Sequence, residues 1–134
     1  MIDFPVNVNP KQVSPLSLAY IGDAVYEVYI RTHIMKDENK PVSKLHKEAT
    51  AFVKAKAQSD IIHAIMDSLS EEEVAVFKRG RNAHSYTSAK NADIVDYRHA
   101  TGFEALVGYL YLNKNYERLE EIIKLSISVI ENRE

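Results

Sequence analysis

The sequence predicts an all-α fold, a compact helical bundle, and three observations carry that prediction. Apolar residues recur at three- and four-residue spacing through most of the chain. Helix-start signals stand ahead of the periodic runs: Ser14-Pro15 joins a capping residue to a first-turn proline, and Ser70 is followed three residues later by Glu73. The composition, 46% hydrophobic and 27% charged over 134 residues, is that of a globular chain with one core. Residues 1–134 are therefore expected to form a single domain.

The elements follow in order. From Ser14 a helix should run to about His33, with Leu16, Leu18, Tyr20, Ile21, Val25, Val28 and Ile30 around most of its circumference. Such a helix is central, buried by neighbours or by a second subunit. A polar break over 36–40 precedes Pro41. Over 43–66, Leu45, Ala49, Phe52, Val53, Ile61, Ile62 and Ile65 keep helical spacing, as two helices joined near 55–58. The Ser70 capping box opens a short helix expected to end near Lys78. Residues 79–91 are polar, include Gly80 and two asparagines, and read as a long loop. A further helix covers about 96–112. The turn Asn113-Lys114-Asn115 then leads into a last amphipathic helix carrying Leu119, Ile122, Ile123, Ile127 and Ile130.

Several function classes are excluded or disfavoured. There is no cysteine, which removes disulfides, thiolate metal sites and thiol nucleophiles and is compatible with a reducing cytoplasm. The opening Met-Ile-Asp-Phe-Pro lacks the basic and apolar regions of a secretory signal, and the least charged stretch, 12–30, still contains Asp23 and Glu27. A soluble, cytoplasmic protein without a membrane partner is expected. The glycines at 22, 80, 102 and 108 assemble no nucleotide-binding loop, and neither HExxH nor GxSxG occurs. The formal charge of -2 provides no global basic field, so a nucleic-acid partner requires a local patch. Histidines 33, 46, 63, 84 and 99 are too scattered to suggest a metal cluster.

Two helices carry a lone acid in apolar surroundings. Asp23 lies in Leu18-Ala19-Tyr20-Ile21-Gly22-Asp23-Ala24-Val25-Tyr26-Glu27, and Glu104 lies between Gly102 and Gly108. A buried carboxylate is costly unless paired, so Asp23 needs a cation, a salt-bridge partner or a metal ion. One reading is structural: Asp23, Glu27 and Arg31 at four-residue spacing form a polar stripe ending in an ion pair. The other brings Asp23 and Glu104 together as an oxygen-only site, which suits Mg²⁺ and phosphodiester chemistry. Glycines on both helices would permit the close approach that this needs.

At these residues the sequence resembles the ribonuclease III family. Gly22-Asp23 within 18–25 is similar to the family's signature helix, and Glu104-Ala105-Leu106-Val107-Gly108 to its second acidic motif. Lys78-Arg79-Gly80-Arg81-Asn82-Ala83 and the short length resemble the Mini-ribonuclease III branch, which consists of the catalytic domain alone. The resemblance covers about residues 12–130. It implies an endoribonuclease for double-stranded RNA, with Asp23 and Glu104 catalytic and binding Mg²⁺. Two further acids of the larger family are replaced by Ala19 and Thr101, and Glu38 is a weak additional candidate. The resemblance also implies a homodimer with its signature helices about a two-fold axis, and a precursor of large-subunit ribosomal RNA as substrate, with a ribosomal-protein helper as a possible partner.

RNA contact is expected from Lys78, Arg79, Arg81, Asn82, Ser85, Tyr86 and Lys90, whose cationic and neutral donors suit phosphate and 2′-hydroxyl groups. Lys44, Lys47, Lys54 and Lys56 form a second positive strip. The alternatives are a catalytically silent RNA-binding or ribosome-assembly module of the same fold, and a purely structural helical dimer.

Overall fold

The computed structural model describes residues 5–83 and 93–133. Among the described residues there are six α-helices: α1 (Pro15–Met35), α2 (Val42–Val53), α3 (Ala55–Ile65), α4 (Glu71–Asn82), α5 (Ile94–Leu112) and α6 (Tyr116–Glu131). The fold class is the all-α one that the periodicity predicts.

Local chemistry accounts for most of the boundaries. Ser14 Oγ accepts from the Ser17 amide at 3.2 Å, and Pro15 follows as the first helical residue. Extended backbone at Lys54 (ψ 154°) separates α2 from α3, slightly ahead of the expected joint. At the start of α4 both arms of the capping box form: the Glu73 amide donates to Ser70 Oγ at 3.1 Å, and the Ser70 amide donates to Glu73 Oε1 at 2.9 Å. Arg118 of α6 grips Glu73 through Nε at 2.8 Å and Nη2 at 2.9 Å, and Nη2 also donates to the Ser68 carbonyl. Between α5 and α6 the chain turns through Lys114, at φ 58°.

Two expectations are corrected here. First, α4 does not end near Lys78. It continues through Arg79, Gly80 and Arg81 to Asn82, so these residues are helical and not part of a loop. Gly80 is in that helix because α5 presses on it: a Cβ there would come within 2.8 Å of the Ala105 Cβ and 2.9 Å of the Gly102 Cα. A Cβ on Gly102 would in turn strike Phe77 at 2.6 Å. The glycine serves close packing, a use that sequence alone does not separate from turn formation.

Second, the central helix is α5. It packs most extensively on α1, then on α4 and α3, and from Ala100 to Leu110 only Thr101 and Glu104 escape full burial. The core gathers Leu18, Tyr26 and Ile30 of α1, Ile61 and Ile62 of α3, Phe77 of α4, Phe103 and Leu106 of α5, and Leu119 and Ile122 of α6. On α1, by contrast, Leu16, Tyr20, Ala24 and Val28 form an exposed stripe.

Candidate active site

The site begins where α1 crosses α5. A Cβ on Gly22 would lie 1.8 Å from the Glu104 carbonyl oxygen, and one on Gly108 would lie 1.9 Å from the Leu18 carbonyl oxygen. The two backbones are therefore in direct contact, and only hydrogen side chains at both positions allow it. Asp23 follows Gly22, and Glu104 supplies the carbonyl that Gly22 meets. The crossing thus brings two acids from distant parts of the chain into one place.

Their environments differ in an unexpected way. Asp23, expected to be the buried acid, is exposed on the outer side of α1, whereas Glu104 is largely enclosed. Burial, followed by the charge of Asp23, raises the Glu104 pKa to about 8. Hydrogen bonding with Asp23 and the charge of Glu27 act in the same direction, while Gln58 opposes them. Gln58 Nε2 donates to Glu104 Oε2 at 3.3 Å and to the Val53 carbonyl at 2.8 Å. Below this pair, Tyr26 donates to the Phe52 carbonyl at 2.8 Å and meets Phe103 edge to face at 5.1 Å. Burial and the Glu104 charge raise the tyrosine pKa.

The polar stripe on α1 divides. Arg31 Nη2 donates to Glu27 Oε1 at 2.9 Å, the ion pair that the structural reading expects, while Asp23 turns to Glu104. Ala19 is buried and apolar, and the Thr101 hydroxyl donates to the Tyr97 carbonyl at 3.0 Å. Neither position contributes a carboxylate. Glu38 lies between α1 and α2, with Oε1 3.8 Å from Lys40 Nζ. Among the described residues no group of three or more His, Cys, Asp or Glu side chains is arranged to hold a metal ion.

Comparison with known proteins shows the family. The model of the Ribonuclease III domain matches residues 16–115, the span that contains both acids. Mini-ribonuclease 3 of Clostridium tetani is 62% identical over 122 residues, covering 90% of this chain and 81% of that protein. Mini-ribonuclease 3 of a Thermoanaerobacter species is 56% identical, with 89% and 84% covered. The chain belongs to the Mini-ribonuclease III branch of the ribonuclease III family. It is an endoribonuclease of that type. A crystal structure of a protein from Fusobacterium nucleatum, 32% identical, superposes with a TM-score of 0.81 over 90% of this chain and 94% of that one.

Ribonuclease III enzymes work with a divalent metal, and the donor set here suits a hard cation. Two carboxylates crowd together in a partly desolvated place, where one retains a proton to well above its ordinary range. A divalent cation would take that proton's place. Beside them, Gln58 Oε1 is a buried neutral oxygen with no hydrogen-bond partner among the described residues. The two carboxylates offer oxygen donors alone, as Mg²⁺ requires.

The residues expected to contact RNA fall into two groups. Lys78, Arg79, Arg81 and Asn82 sit on the last turns of α4, Lys78 and Arg79 exposed. Arg81 lies over the Phe77 ring at 5.7 Å and donates to Asn82 Oδ1 at 3.0 Å. Ser85, Tyr86 and Lys90 lie outside the described residues. In the second strip Lys44, Lys47 and Lys54 are exposed, whereas Lys56 pairs with Asp60 at 3.1 Å. Sequence reasoning missed Gln58. The available signal was a lone amide beside Ala57, Ile61 and Ile62 on a helix face that is otherwise apolar.

Proposed function

We propose that the protein hydrolyses double-stranded RNA with Mg²⁺ held by Asp23 and Glu104. The carrying observation is the contact of α1 and α5 at Gly22 and Gly108, which sets the two carboxylates side by side. The bound cation would activate water and neutralise charge on the phosphodiester. Glu104 approaches it from a desolvated pocket, where opposite charge acts strongly, and Asp23 from the open side, where a phosphate can reach it. Arg31 and Glu27 neutralise each other one turn along α1.

RNA is held by Lys78, Arg79, Arg81 and Asn82 at the end of α4, together with Ser85, Tyr86 and Lys90. Donors of this kind engage backbone phosphates and 2′-hydroxyls, which dominate duplex RNA recognition. The working form is a homodimer. Support comes from the apolar stripe of Leu16, Tyr20 and Val28, with Tyr20 82% exposed, running along the same face of α1 as Asp23. Two copies paired on that stripe set their acids on either side of one duplex, one for each strand. The substrate in this reading is a precursor of large-subunit ribosomal RNA, matured in the cytoplasm with a ribosomal protein assisting. No helix among the described residues is long and apolar enough to cross a membrane.

Incubation of duplex RNA with the protein in Mg²⁺ and in EDTA tests this reading. Paired cuts that need the metal, and that Asp23→Asn abolishes in a folded protein, are expected. Binding without cleavage under every metal condition would instead favour the silent RNA-binding module.

A further inference from the structure

Gln58 reaches the acidic pair from α3, which contributes neither carboxylate. It is only 2% exposed, and its neighbours Ala57, Ile61 and Ile62 are completely buried. A polar side chain in such a place is costly unless each of its groups is engaged. One N–H has a structural task, because the Val53 carbonyl at the end of α2 lacks a continuing helix to satisfy it. That task does not account for the other features of the amide. Nε2 also donates to Glu104 Oε2 at 3.3 Å, and Oε1 is a buried acceptor without a partner among the described residues. Both atoms belong to one planar amide, so the orphan acceptor is part of the same group that holds Glu104.

The chemistry of Mg²⁺ gives this arrangement a use. The ion keeps several of its waters, and each bound water has protons that need acceptors. With Ala19 and Thr101 in place of acids, carboxylate acceptors here are few. We propose that Gln58 is a positioning residue for the cation: its N–H holds Glu104 in one orientation, and its Oε1 accepts from a water of the cation's hydration shell. This rests on the reading that Asp23 and Glu104 hold the ion. Partners that orient metal ligands in this way typically contribute about ten- to hundred-fold in metal affinity.

The test is Mn²⁺ binding without RNA, followed by the electron paramagnetic resonance of the free ion, for the wild type, Asp23→Asn and Gln58→Leu. Circular dichroism verifies the fold of each. Wild-type binding that Asp23→Asn removes, and that Gln58→Leu weakens about ten-fold, is expected. In cleavage, Gln58→Leu should lower kcat, leave KM for duplex RNA unchanged, and recover as Mg²⁺ is raised. A purely structural amide would show no such recovery. Wild-type Mn²⁺ affinity in folded Gln58→Leu overturns the proposal and leaves the carboxylate assignment standing. Absence of any wild-type binding that depends on Asp23 overturns both. If Gln58→Leu does not fold, Gln58→Met, which matches the length of the side chain, takes its place. Failure of both to fold overturns the proposal in favour of a structural cap on Val53.

Discussion

The carbonyl oxygen of Glu104 lies 1.8 Å from the point where Gly22 would carry a Cβ, so the two helices meet backbone to backbone at the acidic pair. No rotamer change can relieve a methyl placed there, because the obstacle is main chain. Gly22→Ala should therefore push α1 away from α5, destabilise the protein by about 3 kcal/mol and separate Asp23 from Glu104. Thermal melts and cleavage rates check both effects. Gly108→Ala acts at the same crossing, so the double variant should lose less stability than the two single losses combined.

Glu104 couples stability to pH in the metal-free protein. Its pKa rises from 4.5 to about 8 on folding, so the fold favours the protonated form. The resulting stabilisation is fully present below 4.5 and is lost as pH rises through about 8. In EDTA the Tm of the wild type should fall across that window relative to Glu104→Gln, which cannot ionise. Mg²⁺ should restore the wild type at the alkaline end and leave Glu104→Gln unchanged. A difference between the two proteins that does not vary with pH would contradict the burial of Glu104.

Tyr20 lies on the outer stripe of α1 rather than in the core, and its removal should not disturb the fold. Tyr20→Asp places a charge in the middle of the apolar face that a second copy would cover. Sedimentation at micromolar concentration should show a dimer for the wild type and a monomer for the variant, with Tm measured on the monomer nearly unchanged. A monomeric wild type that cuts both strands at paired positions would contradict the arrangement.

Arg79 and Arg81 separate binding from chemistry. Replacing both with Ala should raise the RNA concentration for half-maximal cleavage and flatten the salt dependence of binding, because fewer counterions are released. Each lost phosphate contact should reduce the logarithmic salt slope by about 0.7 to 0.9. Arg79 is exposed, whereas Arg81 also packs on Phe77, so Arg79→Ala alone should leave Tm unchanged and the double variant should lower it slightly. An unchanged slope would move the RNA surface to Lys44, Lys47 and Lys54.

Much of this molecule is legible in the sequence because its signals are local. Ser14-Pro15 and the Ser70–Glu73 box start their helices through bonds that span three residues, and both form as expected. The acids were legible as residues at odds with their apolar neighbours. What periodicity leaves open is which apolar face meets a neighbour: α1 and α5 both read as buried, and only the packed structure makes α5 the centre and leaves Tyr20 outside. The same ambiguity made Asp23 look like the buried acid, when it is Glu104 that α5 carries inward. Gly80 reads as part of a loop because a missing Cβ serves a turn and a close approach equally, and only the packing of α5, whose Ala105 Cβ would lie 2.8 Å from a Cβ on Gly80, decides between them. Gln58 joins the site through contacts with Val53 and Glu104, the latter on a helix far along the chain. Tertiary structure decided these points because burial and hydrogen bonding are properties of the surfaces that meet, and a residue's own helix contains no record of what is opposite.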